Sequence, residues 1–588
     1  MRCIRLNYPL FMIGRLLLLL IILIPVSASA GSKDAPVRFA VIGDRTGNHQ
    51  PGVYGEIVNE IELMKPDFVM TVGDMIEGYS DDYEDVQAEW SEYMSLLKPL
   101  TPTPIYHTPG NHDIWDEKSL DIYRQRIGDN YYSFDYKGLH FVILDVSRFN
   151  SSAEIPEKQL VWLEKDLKKH RKAAFTFVFM HKPFWIRSTA VGDADPLHDL
   201  FLKFGVDAVF SGHYHTYFSG SYDGIIYTSI GSSGGGSTPA PNGLHYQFAW
   251  VTVDGRGISI AVLKKDSVLP WDNFTADNLD AVNKLRSDGL TFLNRISVGE
   301  GSKVTRAWCS LRVQNPSTGS SFIDTLKWSV PDGWTVEPAW QVVNVPVESD
   351  YYYNFRVSST GSLYPVPVVS LPFYYDTDKR YTVEADLQLV RETYCHPVQV
   401  KPIIDGELSE ACWSDPVTEF YSPDSGGIQT DSTCFYFAYD PENLYLAVVC
   451  GDKDISVITA NATERDGPVY GDDCIGYFLQ PDLNANRIYQ IYFNSEGVVF
   501  DVRFSQEGEE GWQSERDWNG EYEVKTSKAD DHWSIEARVP LSQFGMSASN
   551  RSMMGLNFRR KQQRLKTAAD WQLPISYDPK TLGILLMK

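Results

Sequence analysis

Gly110-Asn111-His112-Asp113 is the most informative of five short polar motifs that follow apolar, strand-like runs in the first half of the chain. The other four are Gly43-Asp44, Gly73-Asp74, His181 and Gly212-His213-Tyr214-His215. Helix-like stretches separate the runs, and this alternation predicts a buried mixed or parallel sheet with flanking helices. Because the carboxyl ends of strands in an open α/β sheet converge on one rim, we expect the motifs to be neighbours in space.

The residue types in these motifs indicate a metal site. Carboxylate and amide oxygens together with imidazoles suit Mn, Fe or Zn, and one aspartate can bridge two ions. His213 and His215 are two positions apart, so on a strand they point to the same side. Each motif alone is a weak signal, because Asp after Gly is usually a turn and a lone His181 is more often a core residue. The five in this order favour metal binding.

Over residues 36–265 the chain resembles the calcineurin-like metallophosphoesterases. Their pattern is Asp-x-His, Gly-Asp-x-x-Asp, Gly-Asn-His-Asp/Glu, a histidine after a strand, and Gly-His-x-His. The resemblance implies a four-layer αββα sandwich that holds two divalent or trivalent metal ions, Mn, Fe or Zn. It implies six ligands, which are Asp74 as the bridge, Asn111, His181 and His213 on one ion, and Asp44 and His215 on the other.

The same resemblance implies three catalytic residues. His112 would lie beside the phosphate and assist departure of the leaving group, oriented by an acid from the second motif. Glu77 stands where the family usually has that acid, and Asp113 completes the catalytic set. Two cations at such a site would generate hydroxide near neutral pH and stabilise the phosphoryl transition state, so the implied substrate is a phosphoester.

The first motif departs from the family pattern, because it reads Asp44-Arg45-Thr46 where the family has Asp-x-His. The ion held by Asp44 loses an imidazole, so its site is weaker, favours another metal, or recruits Thr46 or His49. An exposed loop position is the simpler interpretation of His49. Arg45 is either a phosphate contact or a solvated loop arginine.

Length and charge limit the alternatives. A chain of 588 residues is long enough for several domains. Its net charge of −24 argues against binding to a nucleic-acid backbone. The glycine-rich run at 231–237 predicts a flexible loop within the first domain.

Residues 1–30 have the pattern of a signal peptide. Arginines and the apolar run 16–24 precede Ala28 and Ala30, which form a small-x-small cleavage pattern. The run is shorter than the roughly 20 residues that a membrane-spanning helix needs. We expect a secreted, periplasmic or cell-surface protein with no transmembrane span in the mature chain, and an uncleaved anchor is the alternative.

The second half is predicted to be all β. After a connector at 266–295, short strands with Gly and Pro turns predict an immunoglobulin-like β-sandwich spacer at 296–390. Residues 395–588 resemble family 9 carbohydrate-binding modules, on Ile404-Asp405-Gly406-Glu407-Leu408 before Trp413 and on Trp533-Ser534-Ile535-Glu536. The fold class is therefore multidomain, with an N-terminal α/β four-layer αββα sandwich followed by two all-β sandwich domains.

This second resemblance implies a glycan or polysaccharide partner and a structural calcium ion. Sugar rings stack on aromatic faces, and the candidate platforms are Trp512, Trp518 and Trp571, with an ordinary packed tryptophan as the alternative for each. Cys434 and Cys450 flank a predicted hairpin and are either a cross-strand disulfide or two buried free thiols.

The two resemblances together predict an exported metal-dependent phosphoesterase, acting on a phosphomonoester or phosphodiester, that its C-terminal module targets to a glycan. The alternative is a surface carbohydrate-binding protein with a catalytically weakened phosphatase-like domain. A glycosidase would need a carboxylate pair, and the sequence identifies none.

Overall fold

The computed structural model describes residues 35–80, 82–236, 245–299, 301–315, 321–347, 349–428, 431–506, 512–549 and 551–588. The chain divides into two compact units, residues 1–277 and 278–588. The predicted signal peptide lies outside the described residues. Among the helices within these ranges, none combines the length and apolar character needed to cross a membrane.

Strands and helices alternate in the first unit. Its helices are α1 Val53–Met64, α2 Tyr83–Leu96, α3 Glu117–Arg126, α4 Glu157–His170 and α5 Pro196–Phe204. Its strands are β1 Val37–Ile42, β2 Phe68–Thr71, β3 Ile105–Tyr106, β4 Tyr132–Tyr136, β5 Leu139–Ile143, β6 Thr176–Phe179, β7 Ala208–Ser211, β8 Phe218–Tyr222, β9 Ile225–Ser229, β10 Gln247–Asp254, β11 Gly257–Lys264 and β12 Ser267–Pro270. They form two six-stranded sheets, in the orders β12-β11-β10-β1-β2-β3 and β4-β5-β6-β7-β9-β8.

The two sheets pack face to face over an aromatic core. Phe39 and Phe68 from the first sheet contact Phe141 and Phe177 from the second, and all four are buried. The other face of the first sheet packs against α1, α2 and α3. Helix α4 lies against the second sheet, where Asp166 accepts hydrogen bonds from β4 and β5. These layers confirm the predicted α/β sandwich.

Strand direction brings the polar motifs together. β1 and β2 are parallel, with Ile42 opposite Thr71, so Asp44 and Asp74 follow adjacent strands at the same edge. β6 and β7 are also parallel, so His181 follows β6 beside the Gly212-His213 turn that follows β7. The carboxyl ends of both sheets therefore supply the candidate site, as expected for an α/β fold.

The second unit is almost entirely β. The helix α6 Ala276–Asp288 contains the boundary between the units. The next strands are β13 Leu290–Phe292, β14 Ile296–Val298, β15 Ala307–Gln314, β16 Phe322–Ser329, β17 Trp334–Glu337, β18 Trp340–Val345, β19 Asp350–Ser359, β20 Val368–Tyr374, β21 Arg380–Asp386 and β22 Leu389–Pro397. Eight of them form two four-stranded sheets, in the orders β13-β15-β19-β17 and β18-β16-β20-β21.

The C-terminal part is a larger β structure. Its strands are β23 Thr433–Tyr439, β24 Asn443–Gly451, β25 Cys474–Gln480, β26 Arg487–Asn494, β27 Val499–Ser505, β28 Gln513–Glu515, β29 Glu523–Lys528, β30 His532–Pro540, β31 Met553–Gln562, β32 Thr567–Asp570 and β33 Gly583–Met587. With β14 and β22 they form one hydrogen-bonded set of 13 strands. Phe435 and Ile535 share a buried core with Tyr477 and Phe558 from the other half of the set, as in a sandwich.

Two sequence interpretations are settled by packing in this part. Cys434 is opposite Val449, whereas Cys450 is opposite Thr433, so the two cysteine side chains lie on opposite faces of the hairpin. Both are free thiols, so the disulfide alternative is wrong.

Trp571 is only 1% exposed and stacks on Phe558, with 5.0 Å between ring centroids. It is a core residue, and its assignment as a sugar platform is wrong because neither ring face is open.

Candidate metal centre

The backbone at the predicted ligands is strained. Asp44, Asp74, His213 and His215 all have left-handed φ values, of 47°, 58°, 76° and 52°. Residues other than glycine rarely adopt this region, and such strain clusters at functional sites, where surrounding contacts compensate for it. Here the compensating contacts are hydrogen bonds donated by main-chain N–H groups. Examples are Asp44 N–H to the Gly73 carbonyl at 3.0 Å and His213 N–H to the carboxylate Oδ1 of Asp44 at 2.7 Å.

One group of ligand atoms gathers at the ends of β2, β6 and β7. Asp74, His181 and His213 each offer an atom within 4.8 Å of the others. His181 Nε2 lies 3.2 Å from Asp74 Oδ2 and 3.0 Å from Asn111 Oδ1. The structure thus brings together the four residues predicted to hold the first ion.

A second group shares Asp74 with the first. Asp44, Asp74 and His215 also offer atoms within 4.8 Å of one another, and His215 Nε2 is 3.6 Å from Asp44 Oδ1. Asp74 is the one residue common to both groups, which is the position that a bridging ligand must have. All six predicted ligands therefore lie at one site.

Burial and charge shift the pKa values at this site. Burial raises the pKa of Asp44, an effect that the imidazoles of His181 and His215 oppose. Asp74 is equally buried, yet the nearby His181 keeps its pKa below the ordinary value. Burial and the adjacent His181 lower the pKa of His213 to about 3, so that ring is neutral and can ligate a cation.

The donor set fits a pair of metal ions. Asp44 is fully buried, and its Oδ2 has no hydrogen-bond partner among the described residues. An unpartnered buried carboxylate oxygen is costly unless a cation compensates it. The cations could be held by the shared Asp74, with oxygen and imidazole donors on either side, which is the mixed set that Mn, Fe or Zn accept.

His112 lies beside this centre with a defined orientation. Its Nδ1 donates to the Glu77 main-chain carbonyl at 2.5 Å, and its main-chain N–H donates to Asp74 Oδ1 at 2.9 Å. A Cβ at Gly47 would be 3.9 Å from His112 Nε2 and 3.0 Å from His215 Cε1, so both rings border the same space. His112 Nε2 therefore faces the centre.

Neither predicted catalytic acid has the expected role. The Glu77 carboxylate pairs with His49 Nδ1 at 2.6 Å instead of with His112, which the Glu77 carbonyl orients. The Asp113 carboxylate accepts main-chain N–H groups of Asp74 and Met75 at 2.9 and 2.8 Å. Asp113 is thus a positioning residue, and its assignment as catalytic is wrong because it is turned into the loop.

The candidates for replacing the missing histidine are also engaged elsewhere. Thr46 Oγ1 donates to the Asp74 carbonyl at 3.2 Å, and His49 pairs with Glu77. Arg45 is 3% exposed, and it donates to the Met75 carbonyl and to Glu92. It is therefore neither a solvated arginine nor a phosphate contact.

The glycine-rich run that sequence analysis predicts to be flexible is packed against the first motif over residues 231–236. Gly235 N–H donates to the Asp44 carbonyl at 2.8 Å, and Ser232 Oγ donates to the same carbonyl at 3.1 Å. The Gly236 carbonyl contacts His215 Nδ1 and fixes that ring. The high glycine content of this run is the sequence feature that could have indicated the contact, because glycine permits close approach of two backbones.

Two neighbours of the centre were missed by the sequence analysis. Tyr79 packs edge-on against His112 at 4.9 Å, and its hydroxyl accepts a hydrogen bond from Asn111 Nδ2. A cleft of about 420 Å³ opens beside His213 and includes Lys182 and Arg187. Tyr79 and Lys182 lie just after Asp74 and His181 in the chain, but they are not part of the motifs, so only the packing shows that they border the site.

The remaining carbohydrate candidates differ from Trp571. Trp512 and Trp518 lie on either side of the short strand β28, and both are half-buried. Trp518 packs against Tyr489 at 4.8 Å and lines a groove with Arg503 and Asp517. Both stay candidates for sugar binding, and the calcium ion stays a prediction.

Comparison with known proteins supports both sequence resemblances. Residues 37–217 match the family model described as calcineurin-like phosphoesterase, and residues 404–573 match the model described as carbohydrate family 9 binding domain-like. Both resemblances are confirmed for these segments. The first unit thus contains an α/β metallophosphoesterase domain, and the second contains a carbohydrate family 9-like domain.

Individual relatives match the first segment. Purple acid phosphatase 21 of Arabidopsis thaliana is 30% identical over 34% of this chain and 50% of its own length. Serine/threonine-protein phosphatase CPPED1 of Danio rerio is 27% identical over 31% of this chain and 65% of its own length. The chain thus spans between half and two thirds of these curated relatives.

A solved structure is similar to the other end of the chain. It is a family 9 carbohydrate-binding module from Caldicellulosiruptor kristjanssonii in complex with cellotriose, with 16% identity and a TM-score of 0.26. The match covers 34% of this chain and 93% of that one.

A substitution in residues 231–236 tests whether this segment positions the metal centre. We expect Gly235→Ala to lower the metal content of the purified protein, because the added Cβ would overlap the Thr46 carbonyl oxygen and displace the loop that carries Asp44. Metal analysis of the dialysed protein measures this. The control is Gly255→Ala, where a Cβ meets nothing within 4 Å. Equal metal content in both variants would contradict the positioning role of this segment.

Proposed function

We propose that this chain is an exported, metal-dependent phosphoesterase that a carbohydrate-binding domain brings to a glycan. The observation that carries the proposal is the shared position of Asp74 between two groups of buried ligand atoms, with His112 beside them. The similarity of residues 37–217 to phosphatases of the calcineurin-like family supports the same reaction class.

The residues of the chain have separable roles in this proposal. A pair of bound cations would activate a water molecule and neutralise the charge of the phosphoryl group. His112 Nδ1 donates to the Glu77 carbonyl, so its Nε2 carries a proton only when the ring is cationic. In that form Nε2 can donate the proton to the departing oxygen, which is the general-acid role.

The cleft beside His213 is the candidate binding site for the anionic substrate. Lys182 and Arg187 line it together with Asp195, so it offers cationic groups close to the metal ligands. Cationic side chains favour binding of an anionic phosphoester.

Hydrolysis should depend on both the metal and His112. We expect chelator-treated protein to lose activity towards p-nitrophenyl phosphate or its diester and to regain it with added Mn²⁺. We expect His112→Ala to lower kcat by about 10²- to 10⁴-fold, the usual contribution of a general acid, while metal content stays unchanged. Steady-state kinetics on both substrates measures this.

The matched control for that experiment is His396→Ala, which changes a histidine that is 40% exposed in the second unit and should leave kcat unaltered. An inactive wild-type protein that binds fewer than two ions per chain would contradict the enzyme. It would favour a glycan-binding protein whose phosphatase-like domain is weakened by Thr46 in place of the family histidine.

Glycan binding should depend on the tryptophans beside β28. We expect Trp512→Ala or Trp518→Ala to weaken binding by about tenfold, the equivalent of 1.4 kcal/mol, because a stacking face is lost. Calorimetry with a panel of gluco-, xylo- and manno-oligosaccharides measures the affinity. Trp340→Ala is the control, since Trp340 is 62% exposed but lies outside the family 9-like segment. Wild-type affinity in both test variants would exclude this surface as the binding face.

Export should leave a mature chain that begins at Gly31. We expect N-terminal sequencing of the exported protein to read from Gly31, and Ala28→Leu to block processing because the cleavage enzyme selects small residues at that position. Ser29→Leu, at the unselected position between the two alanines, should still be processed. A membrane-held protein of precursor size would instead support the uncleaved anchor.

A further inference from the structure

A second cluster of histidines and aspartates lies on the outer side of the second sheet. Asp135 on β4 and His140 on β5 are direct cross-strand partners, and His170 is the last residue of α4. Each of the three offers a ligand atom within 4.8 Å of the others. None of these residues takes part in the catalytic centre.

The position of the cluster separates it from that centre. His140 is opposite Thr176, the first residue of β6, whereas His181 follows the other end of the same strand. Five residues of extended chain span roughly 16 Å. The cluster therefore lies at the amino ends of the strands whose carboxyl ends carry the catalytic ligands.

Asp166 orients both imidazoles. Its carboxylate accepts from His140 Nε2 at 2.8 Å, and its main-chain carbonyl accepts from His170 Nδ1 at 3.0 Å. Ser133 Oγ donates to Asp166 at 3.0 Å and holds the carboxylate in place. The inner nitrogen of each ring is thereby assigned to Asp166, which leaves His140 Nδ1 and His170 Nε2 on the outer side.

Those outer nitrogens converge on Asp135. His140 Nδ1 is 2.8 Å from Asp135 Oδ1, and His170 Nε2 is 3.8 Å from Asp135 Oδ2. The two rings stack with centroids 4.0 Å apart, so their outer edges are side by side. Tetrahedral coordination at metal–ligand bonds near 2.1 Å separates ligand atoms by about 3.4 Å, which is close to these spacings.

We propose that His140 Nδ1, His170 Nε2 and the Asp135 carboxylate form a second metal site, which takes a borderline divalent ion of the zinc class. Two imidazoles and one carboxylate are the donors that such ions prefer. Asp166 accepts from the inner nitrogen of each ring, through its carboxylate for His140 and its main-chain carbonyl for His170. Such outer acceptors orient metal-bound histidines in many proteins. Asp135 is 60% exposed, so at least one coordination position faces water.

The bound ion would join the β4–β5 hairpin to the end of α4. This role is structural, because the site lies away from the cleft and from every catalytic group. A ligand that binds only the folded state raises its stability, so the ion should raise the thermal unfolding temperature of the first unit.

Zinc stoichiometry in the full chain tests the proposal. We expect His170→Ala and Asp135→Asn each to bind one zinc ion per chain fewer than the wild type at micromolar zinc, or to bind that ion at least about tenfold more weakly. Inductively coupled plasma analysis after equilibrium dialysis gives the count. Both side chains are more exposed than His140, and near-UV circular dichroism checks that each variant is folded.

The matched control is Asp223→Asn. Asp223 is 69% exposed and pairs with a single histidine, His198, at 3.0 Å, so it resembles Asp135 without a second imidazole nearby. Its zinc count should equal that of the wild type. Cu²⁺ substitution gives an independent readout, because the wild type should show coupling from the imidazole nitrogens of both His140 and His170, and His170→Ala lacks the second of these rings. Equal zinc counts and affinities in the wild type, His170→Ala and Asp135→Asn would overturn the site and leave the cluster as a hydrogen-bonded ion pair.

Discussion

A single buried carboxylate holds the two loops on which the candidate metal centre depends. Asp113 is fully buried and accepts hydrogen bonds from the main-chain N–H groups of Gly110, Asp74 and Met75, all within 2.9 Å. These bonds compensate for the left-handed backbone of Asp74 and fix it relative to the loop that carries Asn111 and His112. The positions of the candidate ligands Asp74 and Asn111 and of the candidate general acid His112 all depend on this one acceptor.

Charge at the centre is balanced by imidazoles instead of by arginine or lysine. Asp44 and Asp74 are buried, and the adjacent Arg45 is turned away to Glu92. Two buried carboxylates would be unfavourable without compensation, and for Asp74 it comes from the His181 ring and from the main-chain N–H of His112. Asp44 keeps an unpartnered oxygen, so the folded chain has a local need for positive charge that metal ions can meet.

Strand direction explains why the first unit has two different histidine clusters. In parallel strands all carboxyl ends lie on one edge, and the loops that leave them carry the candidate ligands of the metal centre. The opposite edge is built from the hairpin between β4 and β5 and from the end of α4. Polar residues at that edge meet one another and not the catalytic loops, so the second cluster is suited to stabilising the sheet and not to hydrolysis.

The sequence by itself predicted the strand–helix alternation, the six candidate ligand residues and their common edge. These follow from local patterns, because an apolar run followed by a polar turn defines a strand end, and parallel strands place such ends together. Tertiary structure decided the finer roles. The orientation of His112 by the Glu77 carbonyl, the packing of residues 231–236 and the burial of Trp571 depend on contacts between segments far apart in the chain. Local residue patterns define which groups are available, but only long-range packing and main-chain hydrogen bonds define which atoms face each other.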